Sequence, residues 1–474
     1  MIVETHLDTH LSVDVGGELH VEQVPARELA ERFGTPLHVI SGSRLRQNYR
    51  RIRDAFASRW SAGVNVHFAI KSNPAIAVRR ILTQEGAGGD CLGVPELHVS
   101  LVAGTPPERL VLNGNNKPDD AIELAVRCGA RINVDDLDEV ERVAAMARAA
   151  ERVVTVGIRS KPDRGALEEQ SSEMAALSIG AYAELSKWGL EPDDAVAAAR
   201  AILARPELRL VGLHYHLGRH LSEPELFEDM APGLAHLSQR LQREAGWAPG
   251  SVTLGGGFTQ GRDPFFRNSG ALAAWPQAAD DFVAPIEDFA EAVCSELQRR
   301  FSERGLPLPV LGLEPGRYIT ASAGVTLTRV GTVKQGRARR WVMVDSPGTH
   351  LGLSRSPRDA HAIVVADGSA PGHEVVCDVV GPLCVVDVIA QQATLPAVGP
   401  GALLCVLDTG AYADGEASNA NSIGRPAVIL VEAGRADEIR RRETLGDVFG
   451  RDRVPPHLYV AGPGSDWHDA PAVP

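Results

Sequence analysis

Residues 131–159, RINVDDLDEVERVAAMARAAERVVTVGIR, hold two short apolar runs with a helical stretch between them. RINVD (131–135) and VVTVGIR (153–159) have the composition of buried strands, while Leu137–Ala150 carries its apolar residues at helical spacing behind a leading pair of acids. Strand, helix and strand in about 30 residues make a βαβ unit, and such a unit sets its two strands parallel. The alternation continues both ways. Upstream lie PLHVI (36–40), NVHFAI (65–70) and RLVLNG (109–114); downstream lie LVGLHYHL (210–217), SVTLGGG (251–257) and VLGLEPG (310–316). Helical stretches at Asp119–Cys128, Asp193–Leu203 and Glu223–Glu244 separate several of them. Eight runs of this kind predict an α/β fold, a (β/α)8 barrel over residues 36–320 rather than an open sheet.

Beyond residue 320 the texture changes. VTLTRVGTVKQ (325–335), RWVMVD (340–345), HEVVCDVVGP (373–382), VVDVIA (385–390), ALLCVLD (402–408) and PAVILVEAG (426–434) are β-rich, with turn residues between them. Residues 321–474 therefore read as a separate β domain, a sandwich or barrel, and the strand-like LSVDV and ELHVEQV assign residues 1–35 to it. Thr259–Val283 reads as a long loop, and the tail from Pro455 as surface.

The chain has 474 residues, with 48 Lys+Arg against 61 Asp+Glu and a net charge of −13. An acidic balance argues against nucleic-acid binding, which uses basic patches. No run of about 18 apolar residues is present, so no membrane span is expected. The start, MIVETHLDTH, lacks a basic region followed by an apolar core, so no secretory signal is expected either. The six cysteines lack metal-type pairing and read as reduced thiols in a cytoplasmic protein.

Several strand ends carry chemistry. Lys71 directly follows the run NVHFAI, on what would be the barrel's active-site face. A desolvated lysine there is a Schiff-base nucleophile, or simply the partner of a carboxylate. Gly255–Gly257 after SVTL let backbone N–H groups approach an anion, or make a tight turn. Glu314 and Arg317 in EPGR put an acid and a base at the last strand's end, fit for a pyridine nitrogen and a phosphate, or for a local ion pair. His214 and His216 share one face of a strand, with Tyr215 on the other. No acid stands at metal-ligand spacing, so stacking on a flat cofactor is the better reading of the pair and no metal is expected. Cys384 in GPLC and Tyr412 in DTGAY, taken singly, read as ordinary packing residues.

In this order the motifs resemble the fold-type III pyridoxal-phosphate decarboxylases, which include the diaminopimelate, ornithine and arginine decarboxylases. NGNNK (113–117), NVDDLDEV (133–140), SKWGL (186–190) and SNANSIGRP (418–426) add to the resemblance, which spans residues 30–430. VVGPLC and DTGAY bring it nearest to the diaminopimelate decarboxylase branch. The resemblance implies pyridoxal 5'-phosphate as cofactor, bound as a Schiff base on Lys71, with His216 stacked on its ring. Gly255, Gly256, Gly257, Gly316 and Arg317 would hold the phosphate with Tyr412 over it, and Glu314 would face the pyridine nitrogen. Cys384 would return the proton. Cys384 and Tyr412 would come from a partner subunit, making two shared sites in a homodimer. Asp90 and Arg159 would stand behind the cofactor. A racemase of this fold carries arginine where Glu314 stands, so Glu314 favours decarboxylation of an amino acid over racemisation. A non-catalytic regulatory relative would have lost the cofactor lysine or the cysteine, and both are present.

The departures from that family fall on substrate positions. Its cysteine is followed by Glu-Ser; here the run is Cys384-Val385-Val386-Asp387, with Asp387 as the candidate replacement acid. An aromatic pocket wall becomes Ala420 in SNAN, and a phosphate-contacting serine becomes Arg219. Arg355 is a candidate for a substrate carboxylate. These changes lead to the expectation of a substrate bulkier or more acidic than diaminopimelate, such as a citrate-linked intermediate of siderophore or secondary metabolism.

Overall fold

The structure, a computed structural model, describes residues 10–161, 186–216, 224–228, 230–258, 284–352, 361–368 and 373–458. Near the start of the chain are four strands, β1 (Leu11–Val13), β2 (Leu19–Val21), β3 (Val24–Pro25) and β4 (Leu37–Ser41). β1–β3 form a small antiparallel sheet of their own.

Eight parallel strands then close a barrel: β5 (Val64–Ala69), β6 (Gly88–Cys91), β7 (Leu110–Leu112), β8 (Arg131–Val134), β9 (Val154–Arg159), β10 (Leu208–His214), β11 (Ser251–Thr253) and β12 (Val310–Leu313). β12 pairs with β5 to complete the ring. The helices between them are built as the sequence pattern demands. In Leu137–Ala149 the Asp136 side chain caps the first turn by accepting from Asp138 N, and Val140, Val143, Ala144 and Ala147 form the buried stripe. Asp119–Cys128 stops where Gly129 takes a left-handed φ of 90°.

The expected count of eight is met with one exchange of members. PLHVI is not a barrel strand. As β4 it lies inside the C-terminal sheet between its neighbours, and its five residues are buried. A fully buried strand reads as a continuous apolar run in either kind of sheet, so pattern does not separate the two. The barrel strand in its place is β6, sequence GGDC, whose composition carries almost no strand signal. Its glycines answer to packing: a Cβ on Gly88 would lie 2.6 Å from the Arg109 carbonyl oxygen and collide with the His67 ring.

The remaining strands are β13 (Gly324–Gln335), β14 (Arg340–Val344), β15 (Ile363–Val365), β16 (Glu374–Val380), β17 (Val388–Pro396), β18 (Leu403–Val406), β19 (Ala427–Glu432) and β20 (Arg435–Arg440). Their main sheet runs β17-β16-β14-β13-β4-β19-β20, with β18 also on β13 and β15 on β18. β4 pairs antiparallel with β13, Ile40 opposite Gly324. Val330, Val342, Val379, Leu404 and Val406 are at the centre of this unit's core. The described parts of residues 10–40 and 324–458 make one compact unit, and those of 41–323 the other. The divisions fall at 40/41 and 323/324, where the sequence reading puts them at 35/36 and 320/321.

Candidate active site

Parallel barrels present their chemistry at the carboxyl ends of the strands. Here those ends carry, in turn, Lys71 after β5, Asp90 within β6, Asn113 after β7, Asp135 after β8, Arg159 closing β9, His214 closing β10, Gly255–Gly257 after β11 and Glu314 after β12.

Four of these side chains and Lys71 form one connected set. The Lys71 ammonium, with its side chain 41% exposed, lies 3.0 Å from Asp90 Oδ2. Asn113 Nδ2 donates to Asp90 Oδ1 at 2.7 Å and to Glu314 Oε1 at 3.1 Å. His214 Nε2 lies 2.7 Å from the other Glu314 oxygen. Burial alone would push Glu314 up, but the charge and hydrogen bond of His214, with Lys71 and His67 nearby, hold it well below the usual carboxylate range. Glu314 is thus a buried, ionised acid.

His214 and His216 do not share a strand face. β10 ends at His214, whose ring turns to Glu314, whereas His216 stands beyond the strand and accepts from Gly256 N through Nδ1 at 3.3 Å. Burial, followed by the charges of Arg159, Lys71 and His214, pulls His216 down to about 3. Its imidazole is therefore neutral at ordinary pH and presents a flat ring. The glycine run is required by close approach. Gly255 has φ +69° and no room for a Cβ against His216, and a Cβ on Gly256 would overlap the Glu314 carbonyl. A Cβ on Gly316 would sit 3.1 Å from Ser72 Oγ. Arg317 opens the short helix Arg317–Thr320 and is half-buried.

Three of the supporting motifs meet in a second cluster. Lys117 of NGNNK is buried, donating to Glu139 Oε2 at 2.8 Å and the Gly114 carbonyl at 2.6 Å. Glu139 also accepts from Asp135 N, and Asp135 accepts from Gly189 N of SKWGL at 3.1 Å. Arg159 lies 3.7 Å from Asp135 and over the Trp188 ring. This cluster ties three loops together at the strand ends. Asp90 is in direct contact with Lys71, closer to the chemistry than the sequence places it.

Within the sheet unit, Cys384 is exposed and its Sγ donates to Asn421 Oδ1 at 3.4 Å. Val385 and Val386 beside it are 65% and 92% exposed. Tyr412 is half-buried with φ +66°, and Ala420 opens a short turn in which Asn421 and Ser422 also take positive φ. Asp387 does not offer its carboxylate to a ligand. Oδ1 accepts from Gly348 N at 2.8 Å and Oδ2 from Leu383 N at 3.1 Å, so the buried acid clamps the loop that carries Cys384. The sequence reading of Asp387 as a substrate contact is corrected accordingly: its register turns it into the loop. Arg219 and Arg355 lie outside the described residues. Among the described residues no cluster of His, Cys, Asp and Glu is arranged for a metal, and no helix is long and apolar enough to cross a membrane.

Sequence reading singles out Lys71, His214, His216, the glycines and Glu314, and quotes NGNNK, but does not pair Glu314 with His214 and Asn113, which stand 100 and 201 residues away in the chain. The HYH and NGNNK stretches were the available signals, and neither announces its partner. The barrel residues fit pyridoxal phosphate by the chemistry of their donors. An accessible amine, a neutral flat imidazole, an ionised carboxylate and a glycine cradle next to an arginine suit its aldehyde, ring, ring nitrogen and phosphate.

Residues 43–321 match the family of pyridoxal-dependent decarboxylases through its pyridoxal binding domain, and residues 293–410 match that family's C-terminal sheet domain. The chain is 32% identical to the diaminopimelate decarboxylase of Methanothermobacter thermautotrophicus over 94% of its own length and 98% of the relative's. It is 34% identical to that of Actinosynnema pretiosum subsp. auranticum over 92% and 93%. The crystal structure of the M. jannaschii diaminopimelate decarboxylase superposes with a TM-score of 0.85 at 27% identity, covering 95% of this chain and 99% of that one.

Proposed function

The chain belongs to the pyridoxal-dependent decarboxylases, in their diaminopimelate decarboxylase branch, and from that premise we propose how its own residues divide the work of removing CO2 from an amino acid. It is a carboxy-lyase that uses pyridoxal phosphate, and when bound that cofactor supplies the sink for the electron pair left as the Cα–carboxylate bond breaks. Lys71 holds the cofactor covalently through its amine, and Asp90 keeps that amine in place. His216 supports the ring. Gly255–Gly257, Gly316 and Arg317 bind the phosphate. Glu314 holds a proton on the ring nitrogen. One CO2 leaves, and one proton takes its place at Cα; Cys384 Sγ delivers it. The observation that carries this reading is Glu314, a buried carboxylate held low by His214, with Lys71 and His67 nearby, and hydrogen-bonded to Asn113 in the same set as Lys71. An anionic partner keeps the ring nitrogen charged, which favours loss of CO2 over reversible proton exchange.

Cys384 and Tyr412 act on the barrel of a second copy of the chain, in a homodimer with two shared sites. The exposed apolar pair Val385 and Val386 next to Cys384 supports this, because such a tip is better covered than left in water. Cys384→Ser should lower kcat by about 10²–10³-fold, the scale of a lost proton donor, while cofactor absorbance stays as in the parent. Stopped-flow absorbance and CO2 release measure the two.

The substrate is bulkier or more acidic than diaminopimelate. Asp387 is engaged within its loop, Val385 and Val386 carry no charge, and Ala420 leaves room. None of these selects a distal ammonium. The test is CO2 release from a panel of meso-diaminopimelate, lysine, ornithine, arginine, glutamate and citrate- or amide-linked amino acids. Preference for a linked substrate, lost on Ala420→Tyr by about tenfold or more in kcat/KM, is the expected result; full activity on diaminopimelate alone overturns the substrate assignment and leaves the decarboxylase standing.

A further inference from the structure

Below the connected set, the barrel interior holds a column of polar side chains that the reaction does not touch. Arg131, at the start of β8, donates from Nε to Asn133 Oδ1 at 3.0 Å. Asn133 Nδ2 donates to Asn113 Oδ1 at 2.8 Å. Asn113 Nδ2 then donates to Asp90 and to Glu314, at 2.7 and 3.1 Å. Both asparagines are buried. Room for the column comes from glycines on the next two strands: a Cβ on Gly157 would collide with Asn133 and Arg131, and one on Gly212 would lie 3.0 Å from the Arg131 guanidinium.

An amide can face either way, and in most sites its neighbours leave both choices open. Here both ends of the column are chemically one-way. A guanidinium only donates, and ionised carboxylates only accept. Two amides between such ends have a single arrangement in which every contact joins a donor to an acceptor: each oxygen faces Arg131 and each NH2 faces the carboxylates.

We propose that Arg131, Asn133 and Asn113 are an oriented hydrogen-bond relay, and that Asn113 and Asn133 are positioning residues that hold the Asp90 and Glu314 carboxylates on one shared donor. The two hydrogens of one NH2 group serve both acids. Asp90 faces the Lys71 nitrogen, and Glu314 is the acid assigned to the ring nitrogen. The relay thus sets the charge at both ends of the cofactor from below. His214 completes it by donating to the remaining Glu314 oxygen. This inference rests on the roles proposed for Lys71 and Glu314.

The test is a pH titration of the visible absorbance of the bound cofactor, which reports the proton at the Lys71 nitrogen. Asn113→Asp sets a third carboxylate against Asp90 and Glu314 and removes their shared donor. The positive form at Lys71 should then persist to higher pH, with a midpoint raised by about one unit, a tenfold change in proton affinity. Asn133→Asp touches neither acid. It keeps the acceptor for Arg131 but sets a carboxylate oxygen against Asn113 Oδ1, so the Asn113 amide loses its anchor and its NH2 is held less firmly on both acids. The midpoint should move the same way by less, with kcat reduced and KM nearly unchanged. Variants that bind cofactor with the parent's midpoint overturn the relay, as does a loss of thermal stability without a shift. A parent protein whose visible band does not depend on Lys71 overturns the reading of Lys71, and the relay with it.

Discussion

Lys71→Ala protein is expected to release no measurable CO2 from any substrate that the parent turns over, a loss of about 10³-fold or more. A group that fixes the cofactor covalently contributes both bonding and positioning, and removing such a group costs far more than removing a single contact. Lys71 is also the partner of Asp90 at 3.0 Å, so a loss could be blamed on the broken ion pair. Lys71→Arg separates the two roles. Arginine keeps a positive charge beside Asp90 but does not deprotonate at working pH, and its guanidinium forms no Schiff base. The arginine variant should therefore be as inactive as the alanine one while keeping the parent's thermal stability. Recovery of activity with arginine would reduce Lys71 to an ion-pair residue.

Glu314→Gln should lower kcat by about 10²–10³-fold with little change in KM, which corresponds to about 3–4 kcal/mol at the transition state. Glutamine has nearly the shape of glutamate but not its charge. His214 Nε2 and Asn113 Nδ2 both point at the carboxylate, one at each oxygen. The amide has one acceptor and one NH2 group, so with its oxygen on Asn113 its NH2 meets His214 Nε2, which must give up its proton and accept instead. The ring nitrogen loses its anion at the same time. Steady-state kinetics on the saturated holoenzyme is the measurement. A variant that loses affinity and keeps kcat would make Glu314 a binding residue only.

The barrel and the chain-local motifs were readable because each announces itself within a few residues. Lys71 closes a strand run, and Gly255–Gly257 and Glu314-Pro315-Gly316-Arg317 follow others. What pattern does not supply is who faces whom across the barrel. Glu314 takes its partners from β10 and from the segment after β7, and no local spacing encodes that. GGDC failed to register as a strand because its glycines answer to the crowding of His67 and Arg109 rather than to strand propensity. PLHVI registered in the wrong sheet because complete burial erases the alternation that tells sheets apart. Asp387 was misread because an acid close to Cys384 can turn outward or inward, and the N–H groups of Gly348 and Leu383 draw it in.

The pairing of β4 with β13 has a consequence during synthesis. Ile40 and Gly324 are ladder neighbours, so the chain leaves the sheet unit and re-enters it at facing positions. Everything between them must leave the ribosome before β4 meets its first long-range partner. At ~5–20 residues per second that interval is on the order of 15–60 s. For that time the five residues of β4, among them the apolar Leu37, Val39 and Ile40 and all buried in the end, have no sheet to join. An unpaired apolar strand is a template for the wrong neighbour, in this case the same segment on the next nascent chain of a polysome. Translation speed and chaperone supply should therefore govern the soluble yield of this protein more than the stability of its finished fold.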